Sequence, residues 1–405
     1  MLDTTDPPRS RVAGDLFVDL GLYALSALFA IVTALTATLP PHRPWGAIAA
    51  VGYAVATVAV LVQLAVRRLG TTAIRAGLTT VTWAATALLP LVVEAAQRAA
   101  GRTDRAQEEV VVVEHGGDRL LNTGTPYLSH DAIAALPADE RLFGYLPYQP
   151  GMALFGLPRA VFGIAWWTDA RVWFAVATAA ALALALRQVA WSPRTVTALQ
   201  AATVLPFCAL TLAVGGDDLP VLALCLLALA YAARDRYTAA GVAVGLAGAL
   251  KLFAWPVALV LLALALYRRR GRRYAPGAFG IPVVALLPAF LVNAGAAVEN
   301  VIRFPLGRGL VHSPAASPLP GHLIATEVPG GSVIAAGLLV AAGLAIAIWL
   351  VRRPPTGAPD AARYSAIGML TATLLLPATR FGYLLYPIAY AVWAAALSPA
   401  RPAPE

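Results

Sequence analysis

Four carboxylates open the longest polar interruption of this chain. Glu108, Glu109, Glu114 and Asp118 fall within eleven residues and flank a run of four valines. A carboxylate near a bilayer surface, partly stripped of water, is suited to take a proton from an attacking hydroxyl. The same spacing also suits a plainly solvated loop. Glu109 and Glu114 are the candidates for catalysis, and Glu108 and Asp118 for holding a substrate.

The interruption continues to residue 151. Gly124, Thr125, Pro126 and Tyr127 form a turn followed by an aromatic ring. Tyr145, Pro147, Tyr148 and Pro150 then lead into the next apolar run, with the prolines holding the backbone extended. The tyrosines suit stacking on sugar faces, or anchoring at the membrane interface.

Further along, Asp217 and Asp218 follow two glycines and interrupt an apolar stretch. They suit binding of a cation or an acceptor hydroxyl, and equally a solvated turn. Of the thirty basic residues only Lys251 is a lysine. It follows Gly241, Gly245 and Gly248, whose spacing permits close helix packing, and precedes Pro256. A cation inside an apolar segment is costly and is usually paired or functional. Here the candidate partner is a lipid phosphate, with snorkelling to the interface as the other reading. Arg303, Arg308, His312 and His322 sit among prolines and glycines in a second polar segment. Arginines there suit bidentate phosphate contacts. The histidines, ten residues apart, lack metal-ligand spacing, so no metal is expected. Arg380, and Asp169 with Arg171, read as interface charges; Arg380 is kept as a substrate-binding candidate.

The elements that must position these groups are membrane helices. The 405 residues are 59% hydrophobic and 13% charged, with mean hydropathy +0.71. Soluble domains carry about a quarter charged residues. The sequence pI near 9.9 does not point to nucleic acid, because the arginines cluster at the ends of apolar runs, where they anchor topology. Cys208 and Cys225 lie inside apolar runs and support neither a disulfide framework nor a metal cluster. The polar N-terminus lacks a small-residue cleavage site, so a retained first helix is expected.

With about twenty apolar residues needed per crossing, spans are expected at 17–39, 45–66, 76–96, 152–165, 172–186, 196–214, 219–233, 239–267, 279–298, 333–351, 364–376 and 383–397. That is a single polytopic all-α domain, 1–405, of about twelve helices, with 239–267 taken as one long helix. Arg9, Arg11, Arg67, Arg68, Arg75, the arginines of 268–273, Arg352, Arg353 and Arg363 are expected in the cytoplasm. The segments 98–151 and 299–331 then form two extracytoplasmic loops. This count leaves Arg234 and Arg236 facing outside, against the positive-inside rule. No repeated half is visible, which counts against an inverted-repeat transporter.

Taken together, these segments resemble a known family. The residues are the Gly-x-Pro-Tyr turn ending at Tyr127, the tyrosine and proline lead-in at 145–151, the Gly216, Asp217, Asp218 turn, and the lysine segment. In the last, Ala240, Gly241, Val242, Gly245, Leu246, Ala247, Leu250, Lys251 and Pro256 fit A-G-V-x-x-G-L-A-x-x-L-K-x-x-x-x-P. From about residue 108 to 387 the chain is similar to the polyprenyl-phosphate-mannose-dependent glycosyltransferases of family 87 in the C-type superfamily, the actinobacterial alpha-mannosyltransferase group. The resemblance implies a C-type bundle, an acidic catalytic base in the first outer loop, a polyprenyl-phosphate-linked sugar donor, a glycan or glycolipid acceptor, and no cofactor. It places the base near Glu109, where the family commonly has Asp. Two additional apolar segments precede the loop, and Asp217 and Asp218 replace the usual Gly-Gln-x-Asn pattern. The implied reaction is inverting sugar transfer at the outer face of the cell membrane, with Lys251 and Arg303 stabilising the leaving phosphate. A transporter or flippase for a lipid-linked or anionic solute is the alternative, and a non-catalytic assembly partner is a third.

Overall fold

The computed structural model describes residues 9–398, except for the side chains of residues 9–11 and 67. The side chains of Arg9, Arg11 and Arg67, expected as cytoplasmic anchors, therefore lie outside the described residues. Among the described residues the regular structure is helical, apart from an isolated parallel bridge between Ala316 and Thr379.

Helices α1 (Arg9–Thr36) and α2 (His42–Ala65) pack as a hairpin. Helix α3 (Thr72–Ala99) follows; the Thr71 hydroxyl accepts from the Ile74 amide at 3.3 Å and caps its start. The polar segment after α3 is not a loop throughout. It contains α4 (Glu108–Thr123), a 16-residue helix closed by Gly124 at φ +75. Helix α5 (Ala170–Leu186) is capped by Asp169, and α6 (Pro193–Thr203) by Ser192 ahead of Pro193. Then come α7 (Pro206–Val214), α8 (Asp218–Ala233), α9 (Tyr237–Leu250), α10 (Leu252–Tyr267) and α11 (Gly271–Arg303). Helix α12 (Pro320–Glu327) is short, and α13 (Gly331–Arg352), α14 (Ala358–Leu375) and α15 (Phe381–Ala396) complete the bundle.

Among the described residues five helices, α1, α2, α3, α11 and α13, are long and apolar enough to cross a membrane; the α6 and α7 pair, bent by 41°, makes a sixth if taken as one span. The other apolar helices are shorter. The 17 residues of α5 extend about 25 Å, against a hydrocarbon core of about 30 Å.

Besides 196–214, bent between α6 and α7, two expected spans differ. Residues 152–165 do not form one: a turn of 3-10 helix, Pro150–Gly156, runs into the six-residue helix Leu157–Phe162, which stops at Gly163 with φ +74. Residues 239–267 are not one helix, because the backbone at Lys251 is extended, with φ −153 and ψ 144. Pro256, in the first turn of the following helix, has no amide to donate to a carbonyl at Leu252, so the break falls just before it. The two differences offset each other. With α6 and α7 counted as one bent span, six helical segments still separate the two polar segments, which meet where the Tyr145 hydroxyl donates to Glu299 Oε1 at 2.9 Å.

The ends of the bundle differ in charge. Arg234 Nε donates to the Gln188 carbonyl at 2.7 Å, Arg236 and Arg273 line one groove, and Arg268 donates to the Thr356 carbonyl at 2.6 Å. Arg234 and Arg236 thus lie at the same end as 268–273, not at the opposite end as the one-helix count required. Arg75 is not a free anchor either. It is buried and forms a two-pronged pair with Asp19, at 2.6 and 2.8 Å, which Gln200 joins at 3.0 Å. Three buried aromatic side chains are likewise bonded to main-chain carbonyls, as an apolar solvent favours: Tyr53 to Val204, Trp45 to Thr86 and Trp393 to Ala198.

Candidate active site

Helix α4 lies across the end opposite the arginines. Its first turn is fixed by the Gln107 amide, which donates to the Val214 carbonyl at 2.9 Å. The Gln107 side-chain amide also donates to His42 Nε2 at 2.9 Å. Farther along, Gly117 meets Gly156 so closely that a Cβ at Gly117 would fall 2.4 Å from the Gly156 carbonyl carbon. Arg119 holds the carbonyls of Phe143 and Gly144 at 2.8 and 2.9 Å, which ties α4 to the segment carrying Tyr145 and Tyr148.

This placement divides the four carboxylates. Glu109 sits at the wall shared by two cavities, of about 850 and 260 Å³, and so does Glu108. One Glu109 oxygen pairs with Arg380, while the other, Oε2, is buried without a hydrogen-bond partner. A buried unsatisfied carboxylate oxygen is costly and marks a place where a ligand group can donate. Glu114 lines neither cavity. It accepts both prongs of Arg98 at 2.7 Å, lies 3.3 Å from Arg159, and takes the Ala170 amide at 3.2 Å. Asp118 is exposed, and its carboxylate accepts from Asn122 at 3.1 Å.

Around Glu114 the interface charges form a buried network. Asp169 accepts from Arg171 at 2.9 and 2.8 Å and from Arg98 at 3.0 Å. Burial pushes the Asp169 carboxyl up, but the Arg171 and Arg98 guanidiniums outweigh it and hold it well below the usual carboxylate range. Arg171 reaches Glu94 at 3.4 Å and donates to the Ala213 carbonyl at 2.9 Å, one residue before the carbonyl that holds Gln107. The network therefore links α3, α4, α5 and α7.

Lys251 also has partners. Its ammonium lies 2.8 Å from Asp217 and 2.6 Å from Asp218, and the Tyr386 hydroxyl donates to Asp218 at 2.7 Å. The rings of Tyr148, Phe253 and Tyr383 lie 5.0 to 5.5 Å from it. The snorkelling reading is not what is observed: the lysine is buried, at 7% exposure. Asp217 and Asp218 line the larger cavity, and Lys251, Tyr145 and Tyr148 the smaller one. Tyr127 stands behind them and donates to the Tyr148 carbonyl at 2.7 Å.

The second polar segment contributes otherwise than its arginines and histidines suggest. Arg303 is exposed and approaches Glu299 at 3.5 Å, His312 is exposed, and neither lines the two cavities. Instead the backbone of this segment positions Arg380. Thr379 donates to the Ala315 carbonyl at 3.0 Å, Ser317 donates to the Thr379 carbonyl at 2.9 Å, and the Phe381 amide bonds the Ser317 hydroxyl at 3.0 Å. Tyr145 stacks on Phe304 and accepts from the Leu310 amide. Burial, and then the Glu299 carboxylate, keep the Tyr145 hydroxyl protonated above its usual range. His42, Gln107, Tyr383 and Tyr386 are members of the site that the sequence did not single out. The prolines before His42 and the acidic turn after Gln107 were the available signals.

A polytopic helical membrane protein with a charged, two-chambered site at one end of its bundle is the class that fold and site define. The chain belongs to glycosyltransferase family 87, whose sequence model matches residues 145–377. Among solved structures it is similar to ArnT from Cupriavidus metallidurans bound to undecaprenyl phosphate, with a TM-score of 0.50 and 17% identity. That match covers 78% of this chain and 59% of the ArnT chain, so this chain spans under two thirds of its neighbour's length. ArnT in the apo state matches with a TM-score of 0.46 and 19% identity, over the same 78% and 59% of the two chains. At such identities the likeness is one of fold. A comparison with curated proteins finds no match.

Proposed function

We propose that this protein is a membrane glycosyltransferase that moves a sugar, mannose on the family resemblance, from a polyprenyl phosphate to a cell-envelope glycan or glycolipid. The observation that carries the reading is Glu109: one oxygen on Arg380, the other buried, unpartnered and on the wall between two cavities. A polyprenyl phosphate is the ligand named for the ArnT structure whose fold this chain shares.

In this mechanism Glu109 Oε2 takes the proton of an acceptor hydroxyl. The acceptor oxygen forms a bond to the anomeric carbon as the bond to the phosphate oxygen breaks. The electron pair leaves with the polyprenyl phosphate, and the anomeric configuration inverts. Arg380 has donors beyond the one on Glu109 and is the cation placed to meet the leaving phosphate, a contribution that is often the largest single one. Lys251 pairs with Asp217 and Asp218, which orients them for acceptor hydroxyls, and adds its field to that of Arg380. Glu108, Tyr145 and Tyr148 line the smaller chamber and suit the donor sugar. The arginine-rich end lies opposite this site, and the positive-inside rule supports an extracytoplasmic active site.

The test is sugar transfer from radiolabelled polyprenyl-phosphate-mannose to membrane acceptors. Glu109→Gln is expected to lower transfer by about a hundredfold or more. Wild-type transfer by the variant excludes Glu109 as the base. No transfer by the intact protein overturns the mannosyl donor.

A further inference from the structure

At the arginine-rich end a groove of about 750 Å³ runs between α5, α8 and α9, and the proposed reaction makes no use of it. Its floor is built from alanines, among them Ala177, Ala181 and Ala243, whose small side chains keep the helices from filling the space. Its rims are apolar and exposed: Leu184, Val242 and Leu246 are 39%, 40% and 44% accessible. In a bundle of this composition such rims face hydrocarbon, not water.

The mouth is different. Arg236 and Arg273 line it, and neither forms an ion pair among the described residues. Arg236 is held in place, its guanidinium 5.1 Å over the Tyr231 ring and 3.4 Å from Gln188 Oε1. Asp235 is the one carboxylate lining the groove, so positive charge is in excess there. From Tyr237 to Leu246 the α9 wall extends about 13 Å, close to half of a hydrocarbon core of about 30 Å. The groove thus has the depth of one leaflet, with a cationic end at the headgroup level.

We propose that this groove binds one anionic phospholipid of the cytoplasmic leaflet. Its phosphate lies on Arg236 and Arg273, and one acyl chain lies along the alanine floor. Two guanidiniums offer paired donors to phosphate oxygens, and the groove supplies the chain with apolar contact that a zwitterionic lipid would share but not the net charge. Such a lipid would brace α5 against α9, and so hold Lys251 at the far end of α9.

Native mass spectrometry of the full chain, released from detergent with added phosphatidylglycerol or phosphatidylcholine of the same chains, tests this. Wild type is expected to retain one phosphatidylglycerol and to prefer it over phosphatidylcholine. The Arg236→Gln/Arg273→Gln variant should bind it roughly tenfold more weakly or worse. Ala243→Trp keeps both arginines but fills the floor, and should lose the lipid as well. Equal retention of the two lipids, or unchanged retention by both variants, overturns the proposal. Displacement by inorganic phosphate alone, with Ala243→Trp binding normally, would assign the arginines to a free anion and likewise overturn it.

Discussion

Arg380, on the backbone just before the last helix, closes an ion pair on Glu109, in the first turn of α4. The pair joins the first polar segment to the turn between α14 and α15. Glu109 is fixed by α4 and its contacts with the turn after α7, and Arg380 by main-chain bonds from residues 315–317. One carboxylate oxygen is thereby oriented and the other left free, the geometry a positioned base needs.

If Arg380 both orients Glu109 and meets the leaving phosphate, Arg380→Gln should lower sugar transfer by on the order of a hundredfold. Arg380→Lys should recover part of it, because the charge remains while the planar fork is lost. Steady-state transfer rates for the two variants decide this. Equal rates for Lys and Gln would mean that the charge at this position does not matter.

Lys251 is expected to matter for stability as well as function. Its removal leaves Asp217 and Asp218 buried without their cation, and losing one partner of a buried pair typically costs about 3–5 kcal/mol. Lys251→Met should therefore unfold at a clearly lower temperature in detergent. The combined Lys251→Met/Asp217→Asn/Asp218→Asn variant should recover most of the loss. If the single variant melts with the wild type, the triad is not a stabilising unit.

The Asp169 network gives a pH dependence of known sign. The folded carboxyl titrates below its unfolded value, held there by Arg171 and Arg98 against its burial. Its stabilisation is thus complete above about pH 4, the unfolded value, and is lost as pH falls through the depressed folded value. Asp169→Asn should be less stable than wild type at neutral pH by roughly 3 kcal/mol. The gap should narrow in strong acid. Thermal unfolding of both proteins across pH reads it directly, and a gap that stays constant from neutral to strong acid would sink the assignment.

Much of the architecture is legible in the residues themselves. Apolar runs of fixed length, and arginines at their ends, determine a polytopic bundle, because a bilayer leaves the backbone few alternatives to a helix. The family resemblance is sharpest in the motif around Lys251, which lies within the matched residues 145–377, whereas Glu109 and the turn ending at Tyr127 precede them. Pro256 is the local signal for the break beside Lys251, since a proline suits the first turn of a helix and not its interior. The helical nature of 108–123 is hidden in the sequence because four consecutive valines among closely spaced charges show no helical period.

What only the tertiary structure decided is which charges meet. Four carboxylates in eleven residues are equivalent in sequence, yet helical geometry turns Glu109 toward the cavities and Glu114 into a nest of arginines. Lys251 found its partners in Asp217 and Asp218, and Glu109 found Arg380, across long stretches of chain. A charge in an apolar medium must be neutralised, and composition dictates that requirement. The partner that meets it is fixed by the packing of helices remote in sequence, which no local pattern records.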